Sequence, residues 1–95
     1  MANPTLHVRI ISPQQLILET DATSVSSKNA QGKFDVLPLH ANFITMIEGN
    51  PIIVRPLSPV NGQKELKFEF PFSIILNTNN TVNIYTYVSP DLEKK

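Results

Sequence analysis

Short runs of alternating apolar residues, each cut off by proline, glycine or asparagine, recur along almost the whole chain. Leu6, Val8 and Ile10 alternate with His7, Arg9 and Ile11 before Pro13. A period of two suits a half-buried strand, whereas the buried face of a helix repeats every 3.6 residues. Proline lacks the N–H that a sheet ladder needs, so Pro13 ends the first run. Leu16, Ile17 and Leu18 make a second short strand, and residues 22–27 a third, polar one with Val25 as its inward anchor. Residues 34–37 follow a turn at Gly32. Residues 43–47 are stopped by Glu48-Gly49-Asn50-Pro51, and Ile52-Ile53-Val54-Arg55 by Pro56 and Pro59.

Asn61-Gly62 is the strongest hairpin signal, because both residues accept the positive φ of a type I′ turn. Beyond it, Leu66, Phe68, Phe70 and Phe72 share one face, with Lys67 and Glu69 on the other. Residues 73–76 and 82–88 form another hairpin around Asn77-Thr78-Asn79-Asn80. The pattern predicts an all-β fold, a flattened antiparallel β-sandwich or barrel of about nine or ten short strands over residues 1–88. Residues 89–95 read differently: Ser89 as N-cap, Pro90 at the first helical position and acids in the first turn. This stub is the start of a helix whose body is missing, since so short a piece cannot repay nucleation.

Composition removes several classes of function. Eight basic and eight acidic side chains cancel, so no global field draws in nucleic acid or an anionic membrane. The absence of cysteine excludes disulfides and thiolate metal sites. No apolar run approaches the ~20 residues that span a bilayer. The first residues do not read as a secretory signal, and a soluble cytosolic protein is expected.

Candidate chemistry is sparse. His7 and His40 have no partner ligands at metal-binding spacing, so no metal and no cofactor are expected. His7 reads as a solvent-facing strand residue. His40 reads as a turn residue bonded to nearby backbone, or as a contact to a partner. No serine sits in a nucleophile elbow, and three glycines are too few for a phosphate-cradling loop. Glu19, Asp21, Glu65 and Glu69 fit solvated strand faces. The Phe68, Phe70 and Phe72 stripe could stack bases or sugars, but without basic surroundings it reads as core. Tyr85 and Tyr87, on the opposite parity from Val82 and Ile84, suggest an exposed contact patch, as do Pro38, Leu39 and Phe43 near a loop. No catalytic residues are expected, and a hydrolytic enzyme is remote.

Two stretches carry a family likeness: Leu6-His7-Val8-Arg9-Ile10-Ile11-Ser12-Pro13, and Gly32-Lys33-Phe34-Asp35-Val36-Leu37-Pro38-Leu39-His40-Ala41-Asn42. They resemble the N-terminal β-sandwich domain of the epsilon subunit of rotary, F-type ATP synthases. Members carry an opening strand ended by a Ser/Thr-Pro type turn, then a Gly-x-x-Gly-Ile-Leu-Pro-Gly-His-Ala-Pro type motif.

The resemblance implies a non-catalytic central-stalk subunit, peripheral on the cytoplasmic face of an energy-transducing membrane, which it meets only through the complex. Such a subunit grips the gamma subunit and the c-ring and couples ion translocation to ATP synthesis. By position, Ser12, His40 and Phe43 would face gamma, and Gly32, Lys33 and Phe34 the c-ring. Lys33 stands where many relatives carry an acid. Leu39 and Asn42 replace the glycine and second proline of the motif. A positive φ at Leu39 would be strained; otherwise the loop has another shape. Pro71-Phe72-Ser73 stands where relatives have Ser-Gly-Gly. Relatives follow the sandwich with a helical hairpin, and the stub at residues 89–95 is expected to be its beginning without its body. A free-standing β-sandwich module binding another protein or a ligand is the alternative.

Overall fold

The computed structural model describes residues 4–87. Among these residues eight strands form: β1 (Leu6–Ile11), β2 (Leu16–Asn29), β3 (Gly32–Val36), β4 (Phe43–Glu48), β5 (Pro51–Pro56), β6 (Leu66–Glu69), β7 (Phe72–Thr78) and β8 (Thr81–Thr86). Their order in the sheet is β4-β7-β8-β1-β2-β5-β6, with β3 also paired to β2. The predicted stub at 89–95 lies outside the described residues.

The all-β sandwich expected from period and turns is the observed fold, with two differences. First, the predicted second and third strands are one fourteen-residue strand, β2. Glu19-Thr20-Asp21 looks like a polar break but continues the ladder, opposite Arg9, Val8 and His7 of β1. Second, β1 and β8 pair in parallel, so the sheet is mixed rather than wholly antiparallel. Period-two patterning identifies strands but is blind to which strands meet.

β2 divides its partners. Residues 16–22 pair with β1, 22–26 with β5 and 25–29 with β3. An extra residue, Thr23, interrupts the pairing to β5 between Ala22 and Ser24. Such a bulge bends the strand and shifts its side-chain phase. Ala22 points inward before it, Val25 and Ser27 after it, while Ser24 and Ser26 lie on the other face and both accept from Arg55 Nη1. One half of the sheet is therefore β4-β7-β8-β1-β2, and the other β3-β2-β5-β6. They meet where Asn29 Nδ2 donates to Thr45 Oγ1 at 3.0 Å and Phe34 packs edge-on against Phe43, ring centroids 6.0 Å apart.

Thirteen buried apolar residues, at least one from every strand, form a single core. Ten of them are valine or isoleucine, whose branched side chains suit a pleated surface. Phe34, Phe43, Phe68 and Phe70 lie partly buried against it. The aromatic stripe is broken, however: β6 ends at Glu69, and Phe72, 40% exposed, opens β7. Pro71, which cannot donate to a ladder, separates them.

The turns carry the backbone cost that the sequence advertised. Asn61 and Gly62 have φ of 51° and 79°, closed by reciprocal bonds between Val60 and Gln63 at 2.9 and 3.0 Å. Asn79 and Asn80, at 49° and 65°, turn β7 into β8. Asn77, expected in that turn, is instead a fully buried residue of β7. Its Nδ2 donates to the carbonyls of His40 and Ala41 at 3.3 and 3.0 Å, tying the β3–β4 connection to the sheet.

On the outer face, His7 sits between two carboxylates. Its Nδ1 lies 3.0 Å from Asp21 Oδ1 and its Nε2 2.7 Å from Glu19 Oε2, an arrangement that saturates both nitrogens of an imidazolium. Those hydrogen bonds, to Asp21 first and Glu19 second, hold the His7 pKa above its ordinary 6.5.

Two outcomes follow from this packing. Asn77→Ala removes two bonds to loop carbonyls and leaves a small void, and should lower unfolding free energy by about 1–3 kcal/mol in urea titration. A loss below a few tenths would show that the loop is not tethered through Asn77. For His7, a raised folded pKa means that its stabilisation is complete below pH ~6.5, while the carboxylates stay ionised, and fades as pH rises through the folded value. The Tm advantage of wild type over His7→Gln at low salt should therefore shrink from pH ~5.5 to pH ~9. A pH-independent difference would count against the clamp.

Candidate protein-docking surfaces

The connection from β3 to β4 is a rigid, tethered loop. His40 N–H donates to the Leu37 carbonyl at 3.1 Å, closing a turn with Pro38 at its second position and Leu39, φ 70°, at its third. That is the type II geometry, whose third position favours glycine because φ is positive. Leucine there costs roughly 1–2 kcal/mol, so of the two alternatives left by the motif, the strained one is observed. The loop is held by three asparagines besides this turn. Asn80 Oδ1 accepts from Leu39 N–H at 2.7 Å, Asn42 Oδ1 from Asn79 N–H at 2.9 Å, and Asn77 anchors the two carbonyls already described. Leu39 projects from it, 77% exposed, beside Leu37 at 53%.

His40 behaves as a turn residue. Its Nδ1 lies 2.9 Å from the Ala41 carbonyl, to which Nδ1–H would donate, and its ring tilts against Phe43, centroids 5.1 Å apart. Phe43 in turn meets Phe34. His40, Phe43 and Phe34 thus form one contiguous line, although the resemblance divides them between two partners. Gly32, φ 128°, starts β3, and Lys33 next to it is exposed. A shallow cavity of about 270 Å³ lies beside them, lined in part by Ser26, Lys33, Phe34, Asp35 and Ile53.

Ser12 lies elsewhere. It is 6% exposed, and its hydroxyl is engaged with both the N–H and the carbonyl of Gln15 at 3.1 Å, closing the β1–β2 turn. The other end of β1 meets the loop side through His7 N–H and the Asn80 carbonyl at 2.8 Å. Ser12 lies five residues along the extended chain from His7, roughly 16 Å away.

A second surface crosses the outer face of the five-strand half. The register places Met46 beside Ile74, Ile74 beside Tyr85, Tyr85 beside Ile11, and Ile11 beside Leu16. Met46, Tyr85 and Leu16 are 52%, 42% and 48% exposed. Ile44, 67% exposed, flanks this row opposite Leu76, and Tyr87 is exposed near its other side. The patch inferred around Tyr85 and Tyr87 is real and larger than expected. Ile44 and Met46 escaped notice because Phe43-Ile44-Thr45-Met46-Ile47 reads as a buried run. The usable signal is that Thr45 interrupts the inward parity, which leaves two large apolar residues on the outward one.

Among the described residues, no group of His, Cys, Asp and Glu is arranged to hold a metal ion. No helix there is long and apolar enough to cross a membrane. What the arrangement offers chemically is apolar contact on a stiff frame.

Comparison with known proteins gives these surfaces a context. Residues 5–68 match the family model described as ATP synthase, Delta/Epsilon chain, beta-sandwich domain. The chain is 33% identical to the ATP synthase epsilon chain of Nitratiruptor sp. over 73 residues, 77% of this chain and 49% of that one. It is 39% identical to the epsilon chain of Ureaplasma parvum over 57 residues, 60% of this chain and 41% of that one. The match thus spans half or less of the length of these curated relatives. Its fold is similar to a chain in the Tetrahymena thermophila mitochondrial ATP synthase central stalk/c-ring structure, with a TM-score of 0.74 at 15% identity over 93% of this chain and 67% of that chain. A chain of the Euglena gracilis mitochondrial ATP synthase, solved as OSCP/F1/c-ring, gives 0.74 at 16% identity over 90% and 53%. By the family match over most of its length, this chain belongs to the β-sandwich domain family of ATP synthase delta/epsilon chains.

Proposed function

We propose that this chain is a non-catalytic central-stalk subunit of a rotary ATP synthase, which binds the gamma subunit and the c-ring and helps couple ion translocation to ATP synthesis. The observation that carries the reading is the exposed apolar row from Met46 through Ile74, Tyr85 and Ile11 to Leu16. A solvated sheet face alternates polar residues outward, whereas a contiguous apolar row is the mark of a surface covered in an assembly. Family membership supports looking for that partner within an ATP synthase complex.

In this reading gamma meets the loop carrying His40, the adjoining Phe43 and the apolar row. The row runs from β4, next to Phe43, to the β1–β2 turn. Ser12 then contributes by fixing that turn, with Pro13 and Gln14 exposed on it. The Gly32, Lys33 and Phe34 end faces the c-ring, and Lys33 asks for an acid or a carbonyl-rich loop there. Torque transmission requires a body that does not yield between its two contacts. A closed core fed by every strand provides that, and each contact need be no more than a standard interface of about 1,600 Å² in total. The subunit would reach the membrane only through the complex.

Co-expression with the gamma subunit of the same genome tests this. The tagged chain should elute as a complex with gamma, and Met46→Lys or Tyr85→Lys should weaken it by about tenfold or more with strand content unchanged. Independent elution of the wild-type chain at micromolar concentration would sink the rotor reading and favour a free-standing module.

A further inference from the structure

The Leu37-Pro38-Leu39-His40 turn contains a contradiction. Its third position requires a positive φ, which glycine adopts freely and asparagine tolerates. The chain instead places leucine there, at φ 70°. The side chain gains almost no burial in return, being 77% exposed. Strain of this kind persists where the surroundings over-determine the backbone, and it is a pointer to function when nothing in the fold repays it. The surroundings here do over-determine it. Leu39 N–H is held by Asn80, His40 N–H by Leu37, and the carbonyls of His40 and Ala41 by buried Asn77.

We infer that Leu39 is a preformed apolar anchor that determines which partner this loop accepts, and that the partner carries a concave apolar socket to receive it. The inference rests on the rotor reading: the occupant is the gamma subunit, whose contact is continuous with His40 and Phe43. The anchor has the anatomy of an interface hot spot. A large apolar side chain, with Leu37 beside it, is rimmed by His40, Asn42 and Asn79, all exposed. Because the loop is fixed before association, little conformational freedom is lost on binding. Glycine would relieve the strain but leave the socket empty. Asparagine, close in size to leucine, would relieve it and put an amide into an apolar pocket. A partner without such a socket would leave Leu39 in solvent or clash with it, so Leu39 also discriminates between partners.

The test uses the full chain and its own gamma subunit, with affinity and thermal stability read in parallel on Leu39→Asn, Leu39→Gly and Leu39→Met. Leu39→Asn and Leu39→Gly should raise Tm by a few degrees and weaken gamma binding at least tenfold, chiefly through faster dissociation. Leu39→Met, which keeps the apolar bulk and the strain, should bind within about threefold of wild type. A leucine that merely fills a turn would give the rise in Tm with unchanged binding. Leu39→Asn binding gamma as tightly as wild type therefore overturns the inference while leaving the rotor reading intact. Wild type failing to bind gamma overturns both. A wild-type dimer in sedimentation that Leu39→Asn dissociates, with gamma binding unaltered, would assign the anchor to a second copy and overturn the inference as well.

Discussion

β2 is long enough to belong to both halves of the sandwich, and the rest of the fold depends on how it changes phase between them. A one-residue shift in a strand sends every following side chain to the opposite face. The extra residue at Thr23 makes that shift once, so Ala22 serves the core of one half and Val25 the core of the other. Without it, either the first stretch would lose its pairing with β1 or Val25 would face solvent. The parallel pairing of β1 with β8 then joins the beginning of the described chain to its end, and β7 and β4 build outward from β8. Each half is thus fixed by contacts between residues far apart in sequence. None of its strands would hold its register alone.

Such long-range dependence sets what could be read from residues alone. Strand identity is local, and Leu6, Val8 and Ile10, or Val82 and Ile84, announce it through their alternation. Turn chemistry is local too, so Asn61-Gly62 was recoverable from two letters. Partnership is not. The Glu19-Thr20-Asp21 stretch looks like an interruption until Arg9 and His7 are placed across from it, where its charges become cross-strand pairs. Asn77 looks like turn material by type, but its amide is needed inside to hold the His40 and Ala41 carbonyls. Of the site, the His40 loop and Phe43 were visible as apolar bulk near a proline. That Phe34 joins them, and that Ser12 does not, depends on the sheet order.

Leu39 and Asn42 act together in the β3–β4 loop. Leu39 at a positive φ strains the turn, and an untethered loop would relax into another shape. Asn42 supplies a side-chain acceptor that binds Asn79 N–H across the β7–β8 turn. Asn80 does the same for Leu39 N–H from the other side. The asparagines at 79 and 80 thereby combine two tasks. They adopt the positive φ that the hairpin turn requires, and they lock a loop 37 to 41 residues earlier in the chain. Leu39 and Asn42 together make a loop that is strained and tethered at once.

Charge and apolar surface are arranged in opposite ways on this molecule. His7 with Glu19 and Asp21, Arg9 with Glu19, Arg55 with Glu65, and Lys67 with Glu69 pair within the sheet. Exposed pairs of this sort add little to stability, but they neutralise one another within the sheet. The large apolar residues, by contrast, are left unpaired on the row from Met46 to Leu16 and at Leu39. A surface built this way forgoes fast, electrostatically guided encounter, and relies on burial and shape once contact is made. That choice suits a contact formed once at assembly and kept. In the rotor reading the subunit turns with its partners, so residence time matters and rate of encounter does not. The strained leucine fits the same logic, since a side chain already aimed at its socket slows departure more than it speeds arrival.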